Sequence, residues 1–108
     1  METWDIRSLA IEPHHPLVLR SDNETRAIAL ALPAGEELQE HQVHERTYMM
    51  VADGEIEVTK DGRTISGGAG FVSHFEPRER RSVRAVRDSR LVLVFAPWPG
   101  EGHPSRAR

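Results

Sequence analysis

The sequence predicts an all-β domain built as a sandwich or a barrel. Its apolar residues fall in short runs of about five to seven residues, several of which alternate with polar residues as in a strand with one buried face. Turn signals rich in Gly, Pro, Asp and Ser recur about every eight to twelve residues. No segment has the wider apolar spacing of an amphipathic helix. These three observations favour strands joined by tight turns.

The predicted strands follow one another along the chain with turns between them. Asp53-Gly54 and Asp61-Gly62 each supply the positive φ that a tight turn needs, so we expect a hairpin on either side of EIEVTK. The segment after Pro97 is rich in Pro and Gly and is expected to be irregular. In chain order, the predicted strands are PLVLRS, TRAIALALP, RTYMMV, EIEVTK, RTIS, FVSHF, RSVRAV and RLVLVFAP.

Length and composition restrict the class of protein. At 108 residues the chain can form one core but not two, so we expect a single domain over residues 1–108. No apolar run approaches the length of a membrane span, and the N-terminus lacks the pattern of a secretory signal. The absence of cysteine excludes disulfides, thiolate metal ligands and a cysteine nucleophile. We expect a cytoplasmic protein with no membrane partner.

Charge is distributed unevenly along the chain. Residues 1–77 carry 14 acidic and 6 basic side chains, whereas residues 78–108 carry 3 acidic and 8 basic ones. Six of these arginines lie in RERRSVRAVRDSR, between Arg78 and Arg90. A nucleic-acid site would be expected to place aromatic residues between them or to form a recognisable module, and neither is present. We therefore expect no nucleic-acid partner, and arginines that pair with the acidic part of the chain.

The stretch EHQVHERTYMMVADGEIEV contains two histidines three residues apart. Residues two apart share a face of a strand, so a regular strand cannot direct His41 and His44 at one metal ion. A turn at HER could do so, because that triplet is polar. Zinc, manganese, iron and nickel sites usually have three or four ligands, so the pair alone is a weak signal and two surface histidines are the simpler interpretation.

The order of turns and strands resembles the cupin superfamily. PAGEELQEHQVHERTYMMVADGEIEV is similar to the first cupin motif, G-x5-H-x-H-x3,4-E-x6-G, with Gly35, His41 and Gly54 at matching positions. GGAGFVSHFEPRERRSVRAV resembles the second motif, G-x5-P-x-G-x2-H-x3-N. The resemblance covers about residues 25–97 and implies a small double-stranded β-helix, a jelly-roll barrel of antiparallel strands. An N-terminal strand segment (residues 1–24) and an irregular tail (residues 98–108) would flank it.

Most of the metal ligands implied by this resemblance are missing. Val43 stands at the position of the second histidine, Thr47 at that of the glutamate and Arg81 at that of the last histidine, which leaves His41 alone. Valine has no ligand atom, and an arginine beside the site would repel a cation. We therefore expect no metal cofactor in the usual position.

Another set of histidines could rebuild a metal site. A bulge could turn His44 back to the interior, and His74 in FVSHF could also point inward. With His41 these residues would then hold a divalent metal such as Zn, Ni, Fe or Mn. The alternative places His44 in an exposed loop and His74 on an outer or dimer face. The remaining histidines are expected at the surface, namely His14, His15 and His103.

Arg81 is the most informative candidate for ligand binding. If the strand register holds, it faces inward with Val83 and Ala85, where a guanidinium needs a carboxylate or an anionic ligand. The planar guanidinium suits a small acidic ligand. The alternative is that Arg81 lies at the barrel mouth and pairs with Glu76, Glu79 or solvent. The predicted pocket residues are His41, Val43, Thr47, Met49, Arg81 and Val83.

Three functions are compatible with these residues. The first is a small-molecule-binding barrel without the usual metal, acting as a sensor, carrier or accessory module. The second is an enzyme, either metal-dependent through the three histidines or metal-free as an isomerase or lyase with His41 as acid or base. The third is a barrel filled by its own side chains. We expect a bacterial protein. We also expect a homodimer, because Trp4 and Trp98 lie outside the barrel core and would need a covering surface.

Overall fold

Eight strands form two sheets that enclose a common core. The computed structural model describes residues 1–38 and 43–104, and within them the chain forms strands and turns but no α-helix. Every predicted strand is present, which confirms the all-β prediction. The strands are β1 (Leu17–Ser21), β2 (Arg26–Leu32), β3 (Arg46–Asp53), β4 (Glu55–Lys60), β5 (Arg63–Gly68), β6 (Val72–Phe75), β7 (Ser82–Ala85) and β8 (Ser89–Ala96).

All neighbouring strands are antiparallel. The larger sheet has the order β1-β2-β8-β3-β6, and the smaller one has the order β5-β4-β7. Residues Gly35–Leu38 extend the smaller sheet, because Leu38 donates its N–H to the Val83 carbonyl and Glu37 pairs with Arg84. Strands that are distant in sequence, such as β2 and β8, are therefore neighbours in space, as in a jelly roll.

The inner faces follow the alternation of apolar and polar residues. On β3, Thr47, Met49 and Val51 are buried while Tyr48 and Met50 between them are exposed. The same alternation buries Val83 and Ala85 of β7 and leaves Arg84 between them exposed. Because successive side chains of a strand point to opposite faces, one register places the whole apolar set inside.

The two Asp-Gly pairs form different structures. At Asp61-Gly62 both residues have positive φ, 51° and 77°, and join β4 to its neighbour β5, so the predicted hairpin is confirmed. Gly54 also has a positive φ, 93°, but β3 and β4 belong to different sheets. The hairpin predicted at Asp53-Gly54 is therefore wrong, because this turn carries the chain across from one sheet to the other.

The corner at Gly54 is packed against the turn between β7 and β8. A Cβ atom at Gly54 would lie 2.5 Å from the Asp88 carbonyl oxygen and 2.6 Å from the Ser89 Cα. The buried Ser89 hydroxyl accepts the N–H of Glu55 at 3.0 Å. A residue without a side chain is required here both for the positive φ and for the close approach of the two turns.

The N-terminal segment lies against the outer face of the larger sheet. Arg90 of β8, which points away from the core, donates to the carbonyl oxygens of Ile6 at 2.7 Å and Leu9 at 2.5 Å. Ile11 is buried, as is Ala29 on the outward side of β2. The outer face of β2 and β8 is thus covered, whereas Tyr48 and Met50 on neighbouring β3 remain exposed.

Substitution of Gly54 tests the corner. We expect Gly54→Ala to lower the free energy of unfolding by about 3 kcal/mol or more, because left-handed strain of about 1–2 kcal/mol is added to a clash with backbone atoms. Gly62→Ala is the matched control, since Gly62 has a positive φ but no atom within 4 Å of its added Cβ. Urea unfolding of both variants measures the difference. Equal losses would show that the close packing at Gly54 is unimportant.

Candidate functional site

A cavity of about 580 Å³ lies inside the barrel, between the two sheets. Its walls are mostly apolar and come from β2, β3, β6, β7 and β8. The exposed residues His14, Pro16 and Glu37 mark the end where the cavity meets solvent. Its apolar lining residues include Ile28, Leu30, Met49, Val83, Leu93 and Phe95.

Most of the predicted pocket residues line this cavity. Thr47 is on the same inward face of β3 as Met49, but it is fully buried and does not line the cavity. Its hydroxyl donates to the Glu45 carbonyl at 3.3 Å. His41 falls outside the described residues, so its prediction stays untested. The predicted residues found in the lining are Val43, Met49, Arg81 and Val83.

Arg81 occupies the inward position that the strand period predicts. It immediately precedes β7, and its side chain is half-buried at the cavity wall. The guanidinium Cζ lies 4.4 Å from the centre of the Phe75 ring, a cation–π contact. Its Nη1 donates to the Glu79 carbonyl at 3.2 Å. A ring contact on its face and a hydrogen bond at its edge restrict the orientation of the charged group.

The loop that carries Arg81 is attached to the smaller sheet by an ion pair. The Lys60 ammonium contacts the Glu79 carboxylate, and the N–H of Glu76 donates to that carboxylate at 2.8 Å. The hydrogen bond from Lys60, followed by the one from Glu76, lowers the pKa of the Glu79 carboxyl below its ordinary value. The same contact raises the pKa of Lys60. Glu79 therefore fixes the loop through its side chain and contacts Arg81 through its backbone.

The residues at the cupin ligand positions do not fit a metal. Val43 offers no donor atom, the Thr47 hydroxyl bonds the backbone, and Arg81 brings a positive charge. Among residues 1–38 and 43–104, no group of three His, Asp or Glu side chains is close enough to hold a metal ion.

The structure does not bring His44 and His74 together. His74 is exposed on the outer face of β6, where its ring lies 4.9 Å from that of Tyr48, because the inward positions of this strand are Ser73 and Phe75. His44 instead lies 5.7 Å from His103 of the C-terminal tail, measured between ring centres. The inward orientation of His74 considered above is therefore wrong.

The C-terminal tail packs against the loop that precedes β3. The buried Glu45 carboxylate accepts the N–H of Gly100 at 2.7 Å. The Trp98 ring lies 5.9 Å from Phe95 and 4.9 Å from His103, under the guanidinium of Arg26. Trp98 is thus half-buried by contacts within its own chain, and His103 is half-buried beside it. The expectation of a partner surface stays a prediction, since Trp4 is 41% exposed.

Among the lining residues that the sequence did not predict, Glu36 and Phe75 bear most directly on the charged groups of the cavity. Glu36 lies in the segment after β2, and Phe75 at the end of β6 supports Arg81. His14, expected to be a surface residue, is exposed but also lines the mouth, with its Nε2 3.3 Å from the Glu36 carboxylate. The alternation in FVSHF could have indicated that Phe75 is inward, whereas no local pattern places the N-terminal segment at the mouth.

The arginine-rich stretch is used within the molecule. Arg84 pairs with Glu57 at 3.3 Å and Arg87 with Glu55 at 3.8 Å, both on β4. These ion pairs confirm the expectation that arginines of the basic segment pair with the acidic part of the chain. Their exposure indicates small individual contributions to stability.

The fold is similar to that of several solved structures. An RmlC-like cupin from Desulfovibrio desulfuricans aligns with a TM-score of 0.77 and 20% identity, over 90% of this chain and 97% of that one. An RmlC-like cupin from Shewanella frigidimarina gives 0.73 and 21%, over 84% and 86%. The Cnp3 cupin domain of Schizosaccharomyces pombe gives 0.76 and 19%, over 88% and 68%.

The chain has the cupin fold. The double-stranded β-helix that the resemblance implied is thereby confirmed. No family model matches the sequence, and no curated protein is significantly similar to it. The cupin fold is thus shared with these structures at low sequence identity. The chemistry of the cavity therefore depends on the residues of this chain. In the described part of the chain, no helix has the length and apolar character needed to cross a membrane.

The lowered pKa of the Glu79 carboxyl predicts that the stability of the protein depends on pH. Because the pKa of Glu79 is lower in the folded protein than its ordinary 4.5, the contribution of this carboxylate is fully present above that value and is lost as the pH falls through the folded-state pKa. We expect Glu79→Gln to lower Tm by a few degrees near pH 7 and by much less near pH 3. Glu76→Gln, which removes only an exposed pair with Arg46, is the control. A Tm difference independent of pH would contradict this role of the carboxylate.

Proposed function

We propose that this cupin-fold protein binds a small acidic molecule in its barrel, without the usual metal, and acts as a sensor, carrier or accessory module. The observation that carries the proposal is the cavity with Arg81 at its wall. Apolar walls with a few polar groups are typical of small-ligand sites, and about 580 Å³ is within the range of such sites.

Arg81 supports a carboxylate as the recognised group. A guanidinium can donate two parallel hydrogen bonds to a carboxylate, and its contact with Phe75 restricts its orientation before a ligand arrives. Less side-chain entropy is then lost on binding. The half-buried position also lowers the local dielectric constant, which strengthens the charge interaction relative to one at the surface.

The other two functions are less well supported. A barrel filled by side chains would leave no cavity of this size. The enzyme alternative depends on His41, and neither His44 nor His74 lines the cavity to assist it. Stoichiometric metal in protein purified without a His-tag, lost in His41→Ala, would favour that alternative. A cytoplasmic location remains part of the proposal, consistent with a chain that contains no cysteine.

A screen of small organic acids tests the binding proposal. We expect at least one carboxylate to raise the Tm of the wild type, since a ligand at a hundredfold excess over its Kd stabilises the folded state by about 2.7 kcal/mol. Arg81→Ala should lose this response. Arg84→Ala is the matched control, because Arg84 is close in sequence but lies on the exposed outer face. No response in the wild type, or equal responses in the two variants, would contradict the proposal.

We also propose that two copies pair through the uncovered half of the larger sheet. On β3 and β6 the exposed fractions are 53% for Tyr48, 46% for Met50 and 56% for Val72. Met50 and Val72 are directly paired across the two strands, so they form one continuous apolar surface. Such a surface can pair with itself about a twofold axis, as in most homodimers.

Sedimentation tests this pairing. The wild type is expected at twice 12.2 kDa at micromolar concentration, and Met50→Glu at the monomer mass, because two buried carboxylates would face each other across the axis. Ile65→Glu is the control, since Ile65 is 50% exposed but lies on β5 of the smaller sheet. A monomeric wild type, or loss of the dimer in both variants, would rule out this interface.

A further inference from the structure

Two carboxylates line the cavity besides Arg81, and that of Glu36 is the one with a buried oxygen, whereas Glu37 is exposed. The Oε2 atom of Glu36 is buried, and no N–H or O–H of the described residues donates a hydrogen bond to it. The nearby Nε2 of His14 is 3.3 Å away but outside hydrogen-bonding geometry. The side chain as a whole is 39% exposed, so the mouth gives access to it. A buried carboxylate oxygen without a donor is costly, and a ligand that supplies one removes that cost.

The strand register places Glu36 and Arg81 apart along one wall. The Glu36 carbonyl accepts the N–H of Ala85, and Leu38 bonds to Val83, so the segment 35–38 runs antiparallel beside β7. Arg81 precedes Ala85 by four residues, which corresponds to about 13 Å along an extended chain. Both residues line the cavity from this wall, and side chains stand roughly perpendicular to a sheet, so we expect their charged ends to be about as far apart as their backbones.

We infer that the ligand carries an ammonium group for Glu36 as well as the carboxylate for Arg81, with an apolar body between them. This inference rests on the proposed function and specifies its ligand class as an amphipathic amino acid. An ammonium offers three donors and a positive charge, which suits an unsatisfied carboxylate better than a neutral donor does. Ile28, Leu93 and Phe95 supply the apolar contacts for the body.

The separation sets the length of the ligand. After a hydrogen bond of about 2.8 Å at each end is subtracted from about 13 Å, roughly 7 Å remains for the ligand, which an extended chain of about five or six carbon atoms spans. A compound with both charged groups but a shorter chain reaches only one of the two residues. Ligand length therefore provides a test of the geometry that does not depend on any mutation.

Calorimetry with simple probes tests the inference. We expect 6-aminohexanoate to bind the wild type at least about tenfold more tightly than hexanoate, the effect of one net charge-assisted hydrogen bond. The shorter 4-aminobutanoate should bind no more tightly than butanoate. Glu36→Gln should remove the advantage of 6-aminohexanoate and leave hexanoate binding unchanged. Glu24→Gln removes the same charge at an exposed turn and should behave as the wild type.

The outcomes separate this inference from the function on which it rests. If hexanoate binds through Arg81 but the amino group adds nothing, or if Glu36→Gln keeps the advantage, the ammonium site is wrong and the binding of acids stands. If no carboxylate binds the wild type, both proposals fail. The comparison of 6-aminohexanoate, 4-aminobutanoate and hexanoate on the wild type decides the question even if Glu36→Gln does not fold.

Discussion

The crossing of the chain from one sheet to the other at Gly54 is the constraint on which the rest of the barrel depends. β3 and β4 are consecutive, yet β3 pairs with β6 and β8 while β4 pairs with β5 and β7, so the two sheets separate at this corner. The Ser89 hydroxyl bridges the corner to the turn before β8. Because the two sheets are joined at this corner, Met49 of the larger sheet and Val83 of the smaller sheet face a common interior. The side chains fill that interior only in part.

Val43, Thr47 and Arg81 determine the kind of interaction that this part of the interior can make, because none of them is a metal ligand. A metal ion can be exchanged or removed, whereas a guanidinium held over Phe75 is a permanent positive charge. The surrounding structure supports that charge, because the Lys60–Glu79 pair fixes the loop from which Arg81 extends. The cavity wall thus carries a fixed positive charge at Arg81.

Local patterns in the sequence were sufficient for strands and for inward faces, but not for contacts between distant segments. The two-residue period of a strand predicts that Val83 on β7 faces inward, and that Arg81, two residues earlier, faces the same way. Only a few neighbouring residues are needed for that prediction. The two Asp-Gly pairs carry the same local signal, yet only the second forms a hairpin, because sheet membership is decided by pairing with β6, β7 and β8. The contact of Glu45 with Gly100 joins residues 55 positions apart, and nothing local to either residue indicates it.

The N-terminal segment touches both sides of the larger sheet. Its carbonyl groups at Ile6 and Leu9 are held by Arg90 on the outer face, and only a few residues later His14 and Pro16 border the cavity mouth. Displacement of residues 1–16 from the outer face would therefore also alter the rim of the cavity. A segment that contributes no strand to either sheet thus joins the outer surface of the barrel to the mouth of its interior.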